Sequence, residues 1–156
     1  VHHPWINADR LIRITAELSS KRVRAFWSAI AKWLGKDRRF ARMSKLYSKP
    51  RVDLLRVGND FQISRKGEDA RFKGTCLRVP EGVLRDRKRD VADPGELARI
   101  HRVYRHRVLI GPTYRADMWA VFESDPTLSA SELARRTYGS FATAWQAIHD
   151  FKILAA

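Results

Sequence analysis

The side chains best suited to acid–base or metal chemistry are few and widely spaced. His101 and His106 are five residues apart, whereas two histidines that share a metal on one helix face are four apart. Three carboxylates, Asp86, Asp90 and Asp93, occur among arginines and lysines, and nothing in their spacing distinguishes them from solvated acids. The sequence has no His-Glu-x-x-His, Gly-x-Ser-x-Gly, phosphate-loop or dinucleotide fingerprint. We therefore expect no enzyme activity, no metal site and no cofactor.

Cysteine chemistry is equally sparse. The single cysteine, Cys76, excludes an internal disulfide and any zinc site built on cysteines, and we expect it to be a small strand residue rather than a nucleophile. So few cysteines suit a reducing cytoplasm, where we expect the protein to act. No apolar run reaches 18 residues and no secretory signal is visible, so we expect no membrane association.

The charge of the chain is its strongest compositional feature. The 156 residues include 31 Lys and Arg and 17 Asp and Glu, which gives a net charge of +14. Such a surplus favours a polyanionic partner, and nucleic acid is commoner than a membrane surface. Residues 1–49 carry a surplus of nine, residues 50–110 one of six, and residues 111–156 a deficit of one. A phosphate-binding surface is therefore expected in the first two thirds of the chain, unless the excess is only a solvated basic face.

Residues 1–49 are predicted to form a basic helical region. Apolar residues three and four apart predict helices over 8–18, 20–34 and 36–47. Each helix has a basic face opposite its apolar stripe, and basic faces of this kind bind phosphates without sequence choice. The candidate phosphate contacts of this region are Arg22, Arg24, Arg38, Arg39 and Arg42.

Residues 50–92 change their period and are predicted to form a small antiparallel β-meander followed by a charged link. Strands are expected over 52–57, 60–64 and 71–79. Gly58-Asn59 between the first two is a two-residue hairpin signal.

Residues 93–156 are predicted to be helical. A long helix starts at Asp93-Pro94 and ends before Gly111-Pro112. Three short helices follow at about 114–123, 130–136 and 140–151, and residues 152–154 are predicted to be a short strand. The last helix should bury Ala144, Ile148 and Phe151, and the turn before it contains Gly139, which can take a positive φ. The whole chain is therefore expected to be α+β and helix-rich.

The last forty residues carry the most informative pattern. Ser-Glu-Leu-Ala-Arg at 131–135 leads through a turn containing Gly139 into a polar helix start, and Arg-Ala-Asp at 115–117 opens the section. Residues 115–154 resemble the winged helix-turn-helix module of bacterial transcriptional regulators, above all of antitoxin-type and nucleotidyltransferase-associated ones. The sequence departs from this family because it is not basic here, and because it ends at Ala156, where a β-wing would follow.

The resemblance implies a reading helix. In the family, the N-terminal part of the third helix reads base edges in the major groove, where glutamine pairs with adenine and threonine contacts a thymine methyl. The residues of this sequence in that position are Ser140, Ala142, Thr143, Trp145 and Gln146. The corresponding phosphate contacts are Arg135, Arg136 and Lys152.

These patterns lead to two interpretations of function. The first is a bacterial DNA-binding transcription regulator or antitoxin-like protein, with DNA preferred to RNA and a place at the nucleoid in the cytoplasm. The second is a structural subunit of a nucleoprotein assembly, whose basic face holds RNA or DNA backbone and whose C-terminal helices contact protein. Either a protein partner or a homodimer would suit the C-terminal helices.

Overall fold

The computed structural model describes residues 3–85, 87 and 91–155, and the chain divides into two compact units. We call Ile12–Arg87 the basic unit, and Val1–Leu11 together with Lys88–Ala156 the helical unit. The class is α+β and helix-rich, as the sequence predicts. No helix in the described part of the chain combines the length and the apolarity needed to cross a membrane.

Helix α1 (Ala8–Glu17) and helix α2 (Lys21–Trp33) confirm the first two predicted helices to within about a residue at either end. The hydroxyl oxygen of Ser20 accepts a hydrogen bond from the N–H of Val23 and so caps α2. The alanines of α2 are its most buried side chains, because their small size lets the rest of the basic unit pack closely on this face. The core here consists of Ala25, Ala29, Phe72, Cys76, Leu77 and Val79.

The sheet of the basic unit corrects the predicted meander. Strand β1 (Val52–Asp53) and strand β2 (Leu77–Arg78) pair in parallel, with Val52 opposite Leu77. Antiparallel pairing occurs as an isolated bridge between Glu68 and Pro80. The predicted second strand is instead helix α3 (Asn59–Lys66).

Helix α3 forms because its end signals outweigh a weak alternation of apolar residues. Phe61 and Ile63 alternate as in a strand, yet Phe61 is 61% exposed. Asp60 lies in the first turn and Arg65 and Lys66 in the last, where each charge complements the helix dipole. Gly67 follows with φ 86°, a conformation that ends a helix and suits glycine.

The predicted third helix, 36–47, is replaced by two 3₁₀ turns, Arg38–Phe40 and Met43–Lys45. Phe40 ends the first turn and Met43 begins the second, and both side chains are buried, each 1% exposed. The hydroxyl of buried Ser28 donates a hydrogen bond to the Met43 carbonyl at 3.0 Å, which ties this segment to α2.

In the helical unit, residues 94–110 form two helices instead of one. The predicted long helix is instead α4 (Pro94–Ile100) and α5 (Arg102–Ile110). His101 separates them with φ −114° and ψ 98°, and its Nδ1 accepts a hydrogen bond from the N–H of Tyr104. The imidazole therefore caps α5, which offsets the helical bonds that are lost at the break.

Helices α6 (Tyr114–Ser124), α7 (Ala130–Thr137) and α8 (Phe141–Ala155) confirm the three predicted helices. Helix α8 continues through residues 152–154 and so corrects the predicted strand there. Ala144 was predicted to be buried and is, and so is Ala147. Ile148 and Phe151 were also predicted to be buried, but they pack against the core and remain half-buried. The core of these helices consists of Met118, Phe122, Leu128, Leu133, Ala134, Ala144 and Ala147.

The turn between α7 and α8 places its positive φ one residue earlier than predicted. Tyr138 has φ 63°, whereas Gly139 does not have a positive φ. A Cβ at position 139 would collide with Cε of the fully buried Met118, so the end of that side chain would have to shift. The glycine therefore allows the turn to approach α6 closely.

Candidate nucleic-acid interface

The excess positive charge is concentrated in the basic unit. Ile12–Arg87 contains 20 Lys and Arg and eight Asp and Glu, a net charge of +12. The helical unit contains 11 and nine, a net charge of +2. Most of the net positive charge of the chain therefore lies in one compact unit.

Most carboxylates in the described part of the basic unit are already paired. Nη2 of Arg71 lies 2.6 Å from Oδ2 of the buried Asp69, and this hydrogen bonding holds the pKa of the Asp69 carboxyl below its usual range. Nη2 of Arg39 lies 2.7 Å from Oδ2 of Asp37. Three further ion pairs join Arg78 to Asp53 and to Asp60, and Arg51 to Glu68. These five carboxylates are held by four arginines, so they neutralise only a small part of the positive charge of this unit.

The five predicted phosphate contacts of this unit lie in different environments. Arg38 and Arg42 are exposed on the 3₁₀ segment. Arg39 is also exposed, but its guanidinium is paired with Asp37 and lies 5.5 Å from the centre of the Phe40 ring. Arg38 is therefore better placed than Arg39 to meet a phosphate.

Arg22 and Arg24 on α2 are only partly accessible. Nε of Arg22 donates a hydrogen bond to the Asp53 carbonyl at 2.9 Å, so this side chain partly serves the packing of α2 on β1. Nε of Arg24 is buried without a hydrogen-bond partner, while the residue as a whole is half-buried.

Of the predicted reading residues, Ser140 directly precedes α8 and the other four lie in its first half. The polar groups of Ser140, Thr143 and Gln146 make local hydrogen bonds. The hydroxyl oxygen of Ser140 accepts a hydrogen bond from the N–H of Thr143 at 3.1 Å and lies 2.8 Å from its hydroxyl. The amide of Gln146 donates to Oδ1 of Asp150 at 2.8 Å. Ala142 and Gln146 are exposed, four residues apart on one face of the helix.

The predicted phosphate contacts of the helical unit differ in whether a carboxylate lies beside them. Arg135 and Arg136 are exposed, but both lie within 3.5 Å of Oε1 of Glu132 on α7. Lys152 is exposed and has no carboxylate partner among the described residues. It lines a shallow groove with Trp145 and His149.

An aromatic surface on α8 joins the predicted Trp145 to Phe141 and His149, which were not predicted as site residues. Phe141 is 57% exposed and Trp145 is 55% exposed. The indole of Trp145 stacks on the imidazole of His149, with ring centres 5.5 Å apart and planes 2° apart. Phe141, Trp145 and His149 are four residues apart, so the sequence predicts that they share one face of the helix. The exposure of that face depends on which side of α8 packs against α6 and α7.

The residues considered for catalysis are described only in part. Asp93 accepts hydrogen bonds from the N–H groups of Gly95 and Glu96 and so caps α4, whereas Asp86 and Asp90 lie outside the described residues. No cluster of three His, Cys, Asp or Glu suited to a metal ion occurs in the described ranges. Burial raises the pKa of the Cys76 thiol, against the opposing charges of Lys32 and Arg51.

Comparisons of the chain with protein-family models, with curated protein sequences and with solved structures find no match. The likeness to helix-turn-helix modules therefore depends on the pattern of residues 115–154 alone.

Proposed function

We propose that the protein binds nucleic acid through the phosphate backbone, and that the basic unit supplies most of the contacts. The observation that carries this proposal is the net charge of +12 on Ile12–Arg87, whose described carboxylates are largely occupied by arginines. A net surplus of lysines and arginines attracts polyanions and displaces the counterions of a nucleic acid. Binding of this kind depends steeply on salt and little on sequence.

We further propose that the setting is bacterial DNA binding by a transcription regulator or antitoxin-like protein, with α8 as the reading helix. Three helices around one core, with three residues between α7 and α8, support the likeness of residues 115–154 to a helix-turn-helix. For Gln146 to pair with adenine, its amide has to exchange the bond to Asp150 for the base edge. The contacts of Thr143 and Gln146 would then add sequence choice to the backbone affinity.

A second candidate function is favoured by the exposed apolar surface of α8. Phe141 and Trp145 are more typical of a protein-binding surface than of a major-groove reader, because aromatic anchors dominate protein interfaces. In this case the protein is a subunit of a nucleoprotein assembly. The basic unit then holds RNA or DNA backbone, while α8 contacts a protein partner or a second copy of the chain.

The direct test is fluorescence anisotropy of the full chain with labelled duplex DNA, duplex RNA and single strands of random sequence, each at 50 mM and 200 mM salt. We expect binding to duplex DNA at the lower salt and a loss of about 10²-fold or more in affinity at the higher salt, as several phosphate contacts imply. Equal affinity for RNA would favour the nucleoprotein subunit. No binding to any of these probes at 50 mM salt would refute the proposed function.

A further inference from the structure

A pocket of about 300 Å³ lies in the basic unit, between α2, the segment 44–51 and the turn 74–76. No carboxylate is among its lining residues, which is notable because acids occur elsewhere in this unit. The residues that matter for its chemistry are Lys32, Tyr47, Ser48, Lys49, Arg51 and Cys76.

Two lysines give the pocket its positive charge. Nζ of Lys32 donates a hydrogen bond to the Gly74 carbonyl at 3.0 Å, which positions the ammonium at the wall and leaves two of its three N–H groups for another acceptor. Lys49 is exposed and has no carboxylate partner among the described residues. The third cation, Arg51, is neutralised by Glu68 and donates from Nε to the Thr75 carbonyl, so its role is structural.

Neutral donors stand beside the lysines. The hydroxyls of Ser28, Ser44 and Thr75 each donate to a backbone carbonyl and are therefore committed to the fold. The hydroxyls of Tyr47 and Ser48 make no hydrogen bond to the described residues and can donate to a ligand. The pocket thus offers ammonium and hydroxyl donors without a competing carboxylate, a combination that favours an anion with several acceptor oxygens.

We propose that this pocket binds a phosphomonoester, with Lys32 and Lys49 as the charged ligands. A phosphomonoester carries a charge of about −1.5 to −2 at neutral pH and three acceptor oxygens, whereas an internal phosphodiester carries one charge. The two lysines therefore match a monoester better than a diester. The monoester can come from two sources. The first is the terminal phosphate of a nucleic-acid strand, and this source rests on the proposed function. The second is free phosphate, which is independent of that function.

The only cysteine of the chain reports on this pocket. Cys76 lines it, is 9% exposed and has its Sγ 3.4 Å from the Ala25 carbonyl. A bound dianion covers the thiol and disfavours its thiolate form, which is the form that reacts with alkylating agents. Occupancy of the pocket should therefore slow alkylation of Cys76.

The experiment measures the rate of Cys76 alkylation by iodoacetamide, and the melting temperature of the full chain, against inorganic phosphate at constant ionic strength set with chloride. In parallel, anisotropy compares one oligonucleotide with a 5′-phosphate and with a 5′-hydroxyl. We expect phosphate to slow alkylation and to raise the melting temperature. We also expect the 5′-phosphate to tighten binding about tenfold, the scale of one charge-assisted contact.

Lys49→Gln is the decisive variant, because its side chain holds no described element in place and the fold should survive its loss. It should weaken phosphate protection of Cys76 by about tenfold, and Lys32→Gln should do the same. Lys21→Gln and Lys66→Gln are matched controls, since these exposed lysines lie at the ends of α2 and α3 outside the pocket. Both should behave as the parent chain.

The outcomes separate this proposal from the proposed function. Protection by inorganic phosphate that Lys49→Gln removes supports the pocket even if no oligonucleotide binds. Preference for the 5′-phosphate in addition identifies a strand end as the source. Nucleic-acid binding without phosphate protection, or protection that Lys49→Gln and Lys21→Gln reduce equally, overturns the pocket and leaves the proposed function in place.

Discussion

Nε of Arg107 donates a hydrogen bond to Oδ1 of Asp117 across 2.7 Å, and the Asp117 carboxylate has no exposed surface. Its other oxygen, Oδ2, accepts a bond from the Asn7 amide at 2.9 Å and lies 3.2 Å from Nη1 of Arg10. Asp117 is the third residue of the Arg-Ala-Asp that opens α6. The carboxylate therefore joins the start of the chain to α5 and α6 within the helical unit.

Removing this buried carboxylate should destabilise the protein strongly. Asp117→Asn leaves two arginines without their counter-charge in a closed site, and broken buried pairs typically cost about 3–5 kcal/mol. Urea denaturation followed by far-UV circular dichroism measures the change. Glu132→Gln is the control, because Glu132 is 39% exposed beside its arginines and such pairs are worth about 0–1 kcal/mol. Equal costs for the two substitutions would contradict the role given to Asp117.

The close approach at Gly139 predicts a steric cost. Gly139→Ala places a methyl group against Cε of Met118, and overpacking of this kind costs about 1–3 kcal/mol. Met118→Ala removes the obstacle, so Gly139→Ala should cost less in that background. A double-mutant cycle of unfolding free energies measures the coupling. Additive costs would contradict the steric conflict between a side chain at position 139 and Met118.

The Asp69–Arg71 pair predicts a dependence of stability on pH. The folded-state pKa of Asp69 is lowered, so the pair stabilises the basic unit fully above the unfolded pKa of about 3.9 and loses this effect as the pH falls through the folded pKa. Asp69→Asn should therefore cost about 1–3 kcal/mol at pH 7 and progressively less below pH 4. Asp60→Asn, whose carboxylate is 79% exposed, should cost under about 1 kcal/mol. A cost of Asp69→Asn that stays constant from pH 7 to pH 2 would refute this account.

The surface of α8 predicts opposite results for its two candidate roles. If α8 reads DNA, Gln146→Ala should remove the preferred base from sites selected out of a random duplex pool, a discrimination worth about 1–3 kcal/mol. If α8 contacts protein, Trp145→Ala should abolish self-association or partner capture and leave nucleic-acid affinity unchanged. Site selection and sedimentation of both variants separate the two roles. Selection of no motif by the parent chain would exclude reading by α8.

Helical periodicity predicted most of the helices, because their buried faces follow the apolar spacing of the sequence. The bounds of α2 and α7 agree with prediction to within about a residue, and Ser20 and Ser129 cap these helices as such residues usually do. In contrast, the sequence did not reveal the break at His101. It depends on one imidazole that accepts a hydrogen bond, and His is not among the residues that usually cap helices.

The candidate sites depended more on packing than on sequence. The surplus of arginines was visible in the sequence. The pairing of Arg39 with Asp37 depends on a local turn where a helix over 36–47 was predicted, and that of Arg71 with Asp69 on a turn where a strand was predicted. Lys32 and Lys49 are seventeen residues apart, and no motif joins them. Only the folding of segment 44–51 against α2 brings them to one pocket.

The most direct test of nucleic-acid binding by the basic unit is the salt dependence of affinity for random duplex DNA. Arg38→Gln with Arg42→Gln, and Arg135→Gln with Arg136→Gln, each remove two positive charges, one pair in the basic unit and one in the helical unit. We predict that the first pair lowers the slope of log K against log salt by about two units, and that the second leaves it nearly unchanged. A slope that falls only for Arg135→Gln with Arg136→Gln, or a parent chain whose binding does not depend on salt, would contradict the account.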